Sequence, residues 1–360
     1  MQLQLGEVLA IIISSPKVAK EVLKTHDTAF TNRPVLLAIE VMSYDNSGMV
    51  FAPYDDYCRQ MRKLCVMQFL RVKRIQSFRS IREEEVWNLI EGISSSEGLQ
   101  INFTEKISSL TYVPDLFPSL KFLSFLTGKK PALEKMHRKL DKILDDIIND
   151  HKKKRTSANR HASDRDDIVD VLLKLQESGE LEFNLTSNRI KAVTLNIDEV
   201  DIQKLDYLKL VVKETLRLHP PAALIPRESR EKCEINGYEI PNNTKVYINA
   251  WAIGRDTEYW SDADCFHPER FQGSHIDFRG ANFEFIPFGR GRRICPGISF
   301  ALATIELVLS QLVYHLNWKL PNEIKPEEID MSESFGLSCR RKNDLKLIAT
   351  PWSPLLHEIH

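Results

Sequence analysis

The sequence predicts a mainly α-helical protein with a small β region. Helical spacing of apolar residues is the stronger pattern, and it recurs in three long stretches: 133–148, 207–218 and 298–316. The strand patterns are shorter. They lie at 9–13 and 244–250, with a hairpin at 232–240 whose turn is Asn236-Gly237, a favoured two-residue pair.

The helix at 298–316 directly follows an unusual run: Phe288-Gly289-Arg290-Gly291-Arg292-Arg293-Ile294-Cys295-Pro296-Gly297. A cysteine just before a helix N-terminus lies where free N–H groups and the helix dipole favour a thiolate. Glycines let the backbone turn tightly and approach a flat ligand. Thiolate suits iron, and no second Cys or His lies at metal-cage spacing. The run therefore indicates one axial ligand, Cys295, on a metal held by a macrocycle, for which haem is the natural candidate.

Five positions of this run fill the pattern Phe-x-x-Gly-x-Arg-x-Cys-x-Gly, namely Phe288, Gly291, Arg293, Cys295 and Gly297. The pattern resembles the haem-binding signature of the cytochromes P450. A buried structural cysteine is the ordinary alternative, but five matches within ten residues argue against it. The resemblance implies the cytochrome P450 fold and haem b bound by Cys295. It also implies that Phe288 shields the sulfur and Arg293 neutralises a propionate.

A second motif lies on the helix at 207–218, which Pro220-Pro221 ends. Glu214 and Arg217 stand there at i, i+3, the spacing of an ordinary exposed ion pair. In the family, however, the Glu-x-x-Arg helix packs against the haem-proximal face, and an arginine corresponding to Arg270 completes a buried structural triad. The segments 213–221, 251–256 and 285–289 look like the plant microsomal branch, which includes many terpenoid and phenylpropanoid hydroxylases.

Two more arginines align with propionate partners of the family. Arg62 lies on a helix that resembles the one carrying Trp-x-x-x-Arg, and Arg227 follows Ile225-Pro226. Arg227 also has the simpler interpretation of a surface arginine. The tryptophan position of the first motif is Cys58, a weaker donor and a smaller group. Cys58 and Cys65 share a helix face at i, i+7, for which two buried thiols are a better interpretation than a metal site.

The predicted fold is incomplete in three places relative to the family. The chain starts inside what resembles the first strand, without a transmembrane anchor. Residues that form two mid-chain helices are missing near 112–113, and the central distal helix stops at about 196–197. The oxygen-activation run, Ala/Gly-Gly-x-Asp/Glu-Thr, is absent there, and the similar Gly254-Arg255-Asp256-Thr257 lies in a loop. No catalytic acid or threonine is identified, and loss of such proton delivery typically costs 10²–10⁴-fold in rate.

The composition is typical of a globular enzyme, but by itself it excludes few other classes of protein. The chain has 360 residues, 42% hydrophobic and 28% charged, with a net charge of −1, which does not suggest nucleic-acid binding. Six cysteines without CxxC pairs predict reduced thiols. No apolar run reaches the roughly 18 residues of a membrane span. We interpret 1–360 as a single domain, with a mobile surface linker at 152–167.

The resemblance implies a monooxygenase that inserts one oxygen atom from O2 into a small lipophilic molecule. Electrons would come from NADPH through NADPH-cytochrome P450 reductase, for which Arg279, Arg290 and Arg292 offer a positive face, or merely a solvated loop. The segments 222–225 and 335–337 are the expected pocket walls. The family works at the cytosolic face of the endoplasmic reticulum. Without an anchor this chain is expected to be cytoplasmic or peripheral, and 116–126 fits either a membrane surface or core packing.

The alternative interpretation belongs to another class. The chain would then be a non-catalytic haem-binding protein, or a splice or gene-prediction variant that does not fold stably, because omitted helices leave apolar faces uncovered.

Cys58 yields a first prediction. Because a cysteine replaces the tryptophan of the family motif, haem retention is expected to be weaker than in relatives, and Cys58→Trp is expected to tighten it by restoring an indole donor and packing volume. Titration of haem into both proteins measures the change, and equal affinities would contradict the prediction.

Overall fold

The computed structural model describes residues 1–35, 48–77, 79–110, 205–279, 282–336 and 338–351. The α-helices of these residues are α1 (Pro16–Lys20), α2 (Asp56–Gln68), α3 (Val72–Ser77), α4 (Arg79–Ser94), α5 (Phe103–Leu110), α6 (Asp206–Leu218), α7 (Ala250–Ile253) and α8 (Ile298–His315). A π-helical turn, Glu21–Thr25, continues α1, and 3-10 turns lie at Pro268–Phe271, Gly291–Arg293, Pro321–Glu323 and Pro326–Glu328.

The strands are short, as the sequence predicts. They are β1 (Gln2–Leu5), β2 (Val8–Ile13), β3 (Gln100–Asn102), β4 (Leu224–Glu228), β5 (Cys233–Ile235), β6 (Tyr238–Ile240), β7 (Lys245–Asn249), β8 (Leu316–Lys319), β9 (Glu333–Ser334), β10 (Arg340–Arg341) and β11 (Lys346–Pro351). The prediction of a mainly helical chain with a small β region is confirmed. The segments 116–126, 133–148 and 152–167 and the start of the central helix lie outside the described residues.

A four-stranded sheet in the order β1-β2-β7-β4 carries one side of the site. β2 and β7 run parallel, whereas β4 runs antiparallel to β7 with Arg227 opposite Val246. The apolar run of β2 packs into a core with α1, where Ala10, Ile248 and Phe30 are at most 1% exposed. β4 is therefore held rigidly at the sheet edge, with the alternate residues Ile225 and Arg227 buried.

The predicted hairpin is β5–β6, and its turn has the positive φ values of 51° at Asn236 and 79° at Gly237. A three-stranded sheet, β3-β11-β8, forms the floor of a second core under α4 and α8. Phe103 and Trp318 meet there edge to face, with ring centroids 5.1 Å apart.

The i, i+3, i+4, i+7 spacing of 298–316 predicts one apolar stripe that includes Ile298, Leu312, Val313 and Leu316 but not Leu307, and this prediction is partly wrong. Ile298, Leu312 and Leu316 are buried as expected, but Leu307 is also buried, and Val313 is 71% exposed. The helix is apolar on almost every side, so spacing alone cannot select its packed face.

No apolar run of roughly 18 residues is expected from the sequence, yet one helix passes a test of length and mean hydropathy. In the described part of the chain, Ile298–His315 meets the criterion with a mean hydropathy of 1.4 over 18 residues. The helix packs on α4 and on α6, and a core helix of a soluble protein passes the same test.

Gly254 allows α7 to lie directly against the end of α6. A Cβ atom at this position would overlap the carbonyl oxygen of Arg217 and come within 3.4 Å of that of Ala250. Close helix packing therefore requires the glycine at the start of 254–257, and this explains its presence without any role in oxygen activation.

We expect Gly254→Ala to lower the free energy of unfolding by about 1–3 kcal/mol, because the methyl group forces two backbones apart. Gly92→Ala is the matched control. A Cβ at this helical glycine meets nothing within 4 Å, so we expect no loss, or a gain of up to about 1 kcal/mol from helix propensity. Urea unfolding of both variants measures the difference, and equal midpoints would refute the close-packing argument.

Candidate haem-thiolate site

The loop before α8 is shaped by contact with the end of the π-helical turn. Gly291 has a φ of +73°, and a Cβ there would lie within 2.6 Å of the carbonyl oxygen of Leu23 and collide with the carboxylate of Asp27. That carboxylate accepts the backbone N–H of Arg292 at 3.0 Å. Only glycine fits this position, so the loop has one backbone path.

Cys295 lies at the end of this loop, next to Phe288. Its backbone N–H donates to the carbonyl oxygen of Phe288 at 3.0 Å, and both side chains join the aromatic cluster of Phe278 and Phe285. Phe278 and Phe288 meet edge to face at 5.1 Å. Burial raises the pKa of the Cys295 thiol, and the backbone N–H of Gly297 and the charges of Arg62 and Arg33 only partly offset it.

Four arginines gather on the same side as Cys295: Arg33, Arg62, Arg227 and Arg293. Burial and mutual repulsion lower the pKa of Arg227 to about 9 and that of Arg33 to about 10. None of the four forms an ion pair with a carboxylate in the described part of the chain.

Backbone carbonyls, which carry no net charge, hold these side chains in place. Arg293 donates to the oxygens of Thr31 at 2.8 Å and Met49 at 3.4 Å, and also to Ala52. Arg62 donates to Ile294. The guanidinium groups of Arg62 and Arg293 are thus fixed by groups that do not neutralise their positive charge.

Arg227 is fixed in the same way. Its guanidinium donates to the carbonyl oxygens of Pro226 at 2.9 Å and Arg290 at 3.4 Å. With a side chain that is 1% exposed, Arg227 is not a surface arginine, so that alternative is excluded.

Arg33 is the residue that sequence reasoning missed. Its Nε atom is buried without a hydrogen-bond partner, and its guanidinium lies 5.5 Å from the ring centre of Phe51. The sequence gives only a weak indication that Arg33 has a role at the site: Arg33 is the one charged residue in Phe30-Thr31-Asn32-Arg33-Pro34. An unpaired buried donor among four cations beside a thiol fits a ligand that brings both a metal ion and carboxylates, and haem b is such a ligand.

Cys58 is fully buried on α2 and touches the arginine cluster. Its Sγ accepts from Arg293 Nη1 at 3.2 Å, and the carboxylate of Asp55 caps α2 by accepting the backbone N–H of Cys58 at 2.8 Å. Burial raises the pKa of Cys65 to about 12, as expected of an inert thiol. The described residues contain no group of three His, Cys, Asp or Glu side chains that would hold a metal ion.

Glu214, Arg217 and Arg270 form one buried network. The two carboxylate oxygens of Glu214 accept from Arg217 at 2.7 and 2.8 Å, and Arg270 Nε adds a bond of 3.0 Å. Arg217 also donates to the carbonyls of Gly254 and Ala263 at 2.6 Å each. Glu214 and Arg217 are both 0% exposed at the side chain, which excludes the exposed ion pair. The network joins α6 to the turn Pro268–Phe271.

The predicted positive face is smaller than expected. Arg279 and Arg292 are exposed, but Arg290 is 7% exposed, and its guanidinium donates to the carbonyl of Asp277 at 3.4 Å. Arg290 is therefore part of the packing, because the loop turns it inward over Phe283.

The residues of the two segments predicted to face a substrate differ in their exposure. Leu224 is 47% and Phe335 62% exposed, whereas Ile225 is buried and would lie 3.8 Å from a Cβ at Gly289. Leu337 lies outside the described residues. One predicted wall therefore borders the cysteine loop directly.

Comparison with known proteins agrees with this geometry. The family model described as "Cytochrome P450" matches residues 1–113 and 196–346. The chain belongs to the cytochrome P450 family. It is similar to a melianol synthase of Ailanthus altissima, with 47% identity over 98% of this chain and 84% of that protein. It is 44% identical to the premnaspirodiene oxygenase of Hyoscyamus muticus, over 98% of this chain and 86% of that protein.

The fold is that of solved cytochromes P450. A zebrafish cytochrome P450 in a structure with abiraterone superposes with a TM-score of 0.78 at 19% identity, covering 98% of this chain and 96% of that chain. The chain is a cytochrome P450 of the plant type. Its family is one of haem-thiolate monooxygenases that use haem b, O2 and a reductase.

The comparisons also agree with the predicted internal omissions. The family match stops at residue 113 and resumes at 196, next to the two junctions expected from the sequence. The melianol synthase alignment runs over 432 residues, more than the 360 of this chain. That cytochrome P450 therefore has residues, inside the aligned region, that this one lacks.

Arg33→Met is expected to raise thermal stability without haem and to weaken the retention of haem, and both effects test the role of the arginine cluster. Without haem, we expect a gain in thermal stability of about 2–4 °C, because an unpaired buried cation is removed. With haem, we expect weaker retention, because one anchor for a carboxylate is lost. The folded-state pKa of Arg33, about 10, lies below the ordinary value of 12.5. Below pH 10, Arg33 is charged in both the folded and the unfolded chain, so the cost of burying its charge is fully present. As the pH rises above 10, the folded chain loses this charge, and the stability gained by Arg33→Met should shrink.

Arg59→Met is the matched control, since Arg59 is exposed on α2 and pairs with Asp56. We expect this variant to leave both haem retention and stability nearly unchanged. Melting curves and haem titration measure both effects. Loss of stability in haem-free Arg33→Met would contradict the argument.

Proposed function

We propose that this chain binds haem b through Cys295 and inserts one oxygen atom from O2 into a small lipophilic molecule of terpenoid-like or phenylpropanoid-like structure. The observation that carries the proposal is the Cys295 thiol beside four arginines without a carboxylate partner among the described residues. The substrate class is supported by relatives named for melianol, premnaspirodiene and desmethyl-deoxy-podophyllotoxin.

Each residue of the site has a distinct role in this proposal. Cys295 is the axial ligand, and its thiol loses its proton on binding iron. Arg33, Arg62, Arg227 and Arg293 neutralise the propionates, with Gly291 and Gly297 shaping the loop. Phe288 shields the sulfur from water. When bound, haem with a thiolate ligand supplies oxygen activation, because the thiolate donates electron density that favours O–O cleavage.

The glutamate–arginine network has a structural role. Glu214, Arg217 and Arg270 fix α6 and the turn Pro268–Phe271, which pack around Trp260 and Phe285 beneath the cysteine loop. They touch neither Cys295 nor its arginines in the bonds described above, so they hold the scaffold and perform no chemistry.

Electrons would come from NADPH through NADPH-cytochrome P450 reductase. Arg279 and Arg292 are the exposed cations near the cysteine loop, and they suit an acidic partner surface. Plant cytochromes P450 of this type are typically associated with the endoplasmic reticulum. We propose a peripheral position at its cytosolic face for this chain.

A second candidate function is haem binding without turnover. The observation that favours it is the sequence between Thr194 and Glu214, which contains no Ala/Gly-Gly-x-Asp/Glu-Thr run. The acid and threonine that deliver protons in that run therefore have no match at motif spacing in this segment. The two candidates share the haem site and differ in catalysis.

The test begins with expression under haem supply and the carbon-monoxide difference spectrum of the reduced protein. We expect the strongly red-shifted band of thiolate-ligated haem. Cys295→Ser should abolish that band, and Cys265→Ser, which changes an exposed cysteine, should retain it. A wild-type band at the shorter wavelength of lost thiolate, or no haem at all, would refute the haem site.

Turnover separates the two candidates once the band is present. The protein would be combined with NADPH, a plant reductase and a set of terpenoid and phenylpropanoid substrates. Oxygenated product that depends on Cys295 supports the monooxygenase, whereas NADPH consumption without product supports haem binding alone.

A further inference from the structure

One buried carboxylate makes the side-chain hydrogen bonds that attach the short hairpin β9–β10 to the scaffold. Glu333, at the start of β9, accepts the indole N–H of Trp251 at 2.7 Å and lies 2.6 Å from Nδ1 of His219. Its side chain is only 11% exposed. His219 ends α6 and Trp251 belongs to α7, so a single side chain connects the hairpin to two helices.

The charge on Glu333 is maintained by these partners. Hydrogen bonds from His219, Trp251 and Cys339 offset the burial of the carboxyl and hold the pKa of Glu333 below its usual value. Burial and this carboxylate together raise the pKa of Cys339 to about 12, so its thiol remains a donor. Arg255, whose guanidinium lies 4.0 Å from the ring centre of Trp251, is the nearby cation.

Backbone contacts extend the connection to the strand beside the cysteine loop. The backbone N–H of Cys339 donates to the carbonyl oxygen of Pro221 at 2.7 Å. The backbone N–H of Trp251 donates to the carbonyl oxygen of Ala223 at 3.3 Å. Pro221 and Ala223 lie immediately before β4. The hairpin and the approach to β4 are therefore one unit.

This unit carries the exposed apolar side chains expected at the pocket. Phe335, on the hairpin between β9 and β10, packs edge to face on Trp251 at 6.2 Å and is still 62% exposed. Leu224, at the start of β4, is 47% exposed. The next residue, Ile225, borders Gly289 of the cysteine loop.

We propose that Glu333 is a positioning residue that sets the shape and specificity of the substrate pocket, by fixing the hairpin β9–β10, and with it Phe335, against the segment between α6 and β4. The inference rests on the proposed function, because it concerns the pocket of that same haem site. Glu333 does not touch the haem ligand or its arginines. Its loss should therefore affect bulky pocket ligands and leave the iron ligand intact.

Glu333→Gln is the direct test. The amide keeps the size of the side chain but removes its negative charge, so the charge-assisted bonds to His219 and Trp251 become weaker neutral bonds. Trp251→Phe removes the other partner's N–H and keeps an aromatic ring opposite Phe335. Glu327→Gln is the matched control, because Glu327 is exposed in the turn Pro326–Glu328.

The probes are 4-phenylimidazole and imidazole, which both bind haem iron through a ring nitrogen and differ in their reach toward the pocket walls. We expect Glu333→Gln to weaken the binding of 4-phenylimidazole about 3- to 10-fold, because the bonds that fix the hairpin lose their charge-assisted strength. Trp251→Phe should act in the same direction. Imidazole affinity, haem content and the carbon-monoxide band should stay unchanged in both variants and in Glu327→Gln.

Two results would overturn the inference. Equal weakening of both ligands with loss of haem would show a general structural role, and unchanged 4-phenylimidazole binding would show no role.

A wild-type chain without haem would refute the proposed function instead. Hydrogen exchange then tests the attachment by itself. Amides of 219–225 and 333–341 should exchange faster in Glu333→Gln than in Glu327→Gln, and equal rates would overturn the inference.

Discussion

The structure depends on a concentration of buried positive charge that protein carboxylates do not balance in the described part of the chain. Arg293 reaches from the cysteine loop to carbonyls of Thr31, Met49 and Ala52, and so ties three distant parts of the chain together. Hydrogen bonds to carbonyls fix the guanidinium groups of Arg62, Arg227 and Arg293 without neutralising them, and burial makes that charge expensive. In the proposed function, the two carboxylates of haem b would lower this cost, and its iron would add a bond to Cys295. Ligand binding and the stability of this half of the molecule are therefore coupled.

A second constraint acts from the other side of the loop. Glu214 satisfies two arginines at once and, through Arg217, holds α6 against α7 and the chain around Ala263. Gly254 permits that contact, because any side chain would strike the backbone of α6. The same helix ends at His219, where Glu333 attaches the C-terminal hairpin. The scaffold of the proximal side and one wall of the proposed pocket thus share α6.

The internal omissions bear on catalysis more than on this scaffold. The cysteine loop, its arginines and the glutamate–arginine network all lie within the two stretches that match the family, 1–113 and 196–346. The oxygen-activation run of the family is predicted to be absent at the junction near 196–197, at the start of the second stretch. The proposed experiments therefore measure haem binding and oxygen transfer separately.

The sequence by itself determined the family, the mainly helical class, the identity of Cys295 and its loop, and the elements with the clearest patterns: α6, α8, β2, β7 and the hairpin β5–β6. These features depend on local patterns: spacing of apolar residues, turn residues, and five fixed positions within ten. Tertiary structure alone decided the packed face of α8, the burial of Arg290, the raised pKa of Cys295 and the membership of Arg33 in the cationic cluster. It also decided the attachment of Glu333 to His219 and Trp251, residues 114 and 82 positions away. Desolvation and charge coupling depend on which distant segments meet, and no local pattern records that.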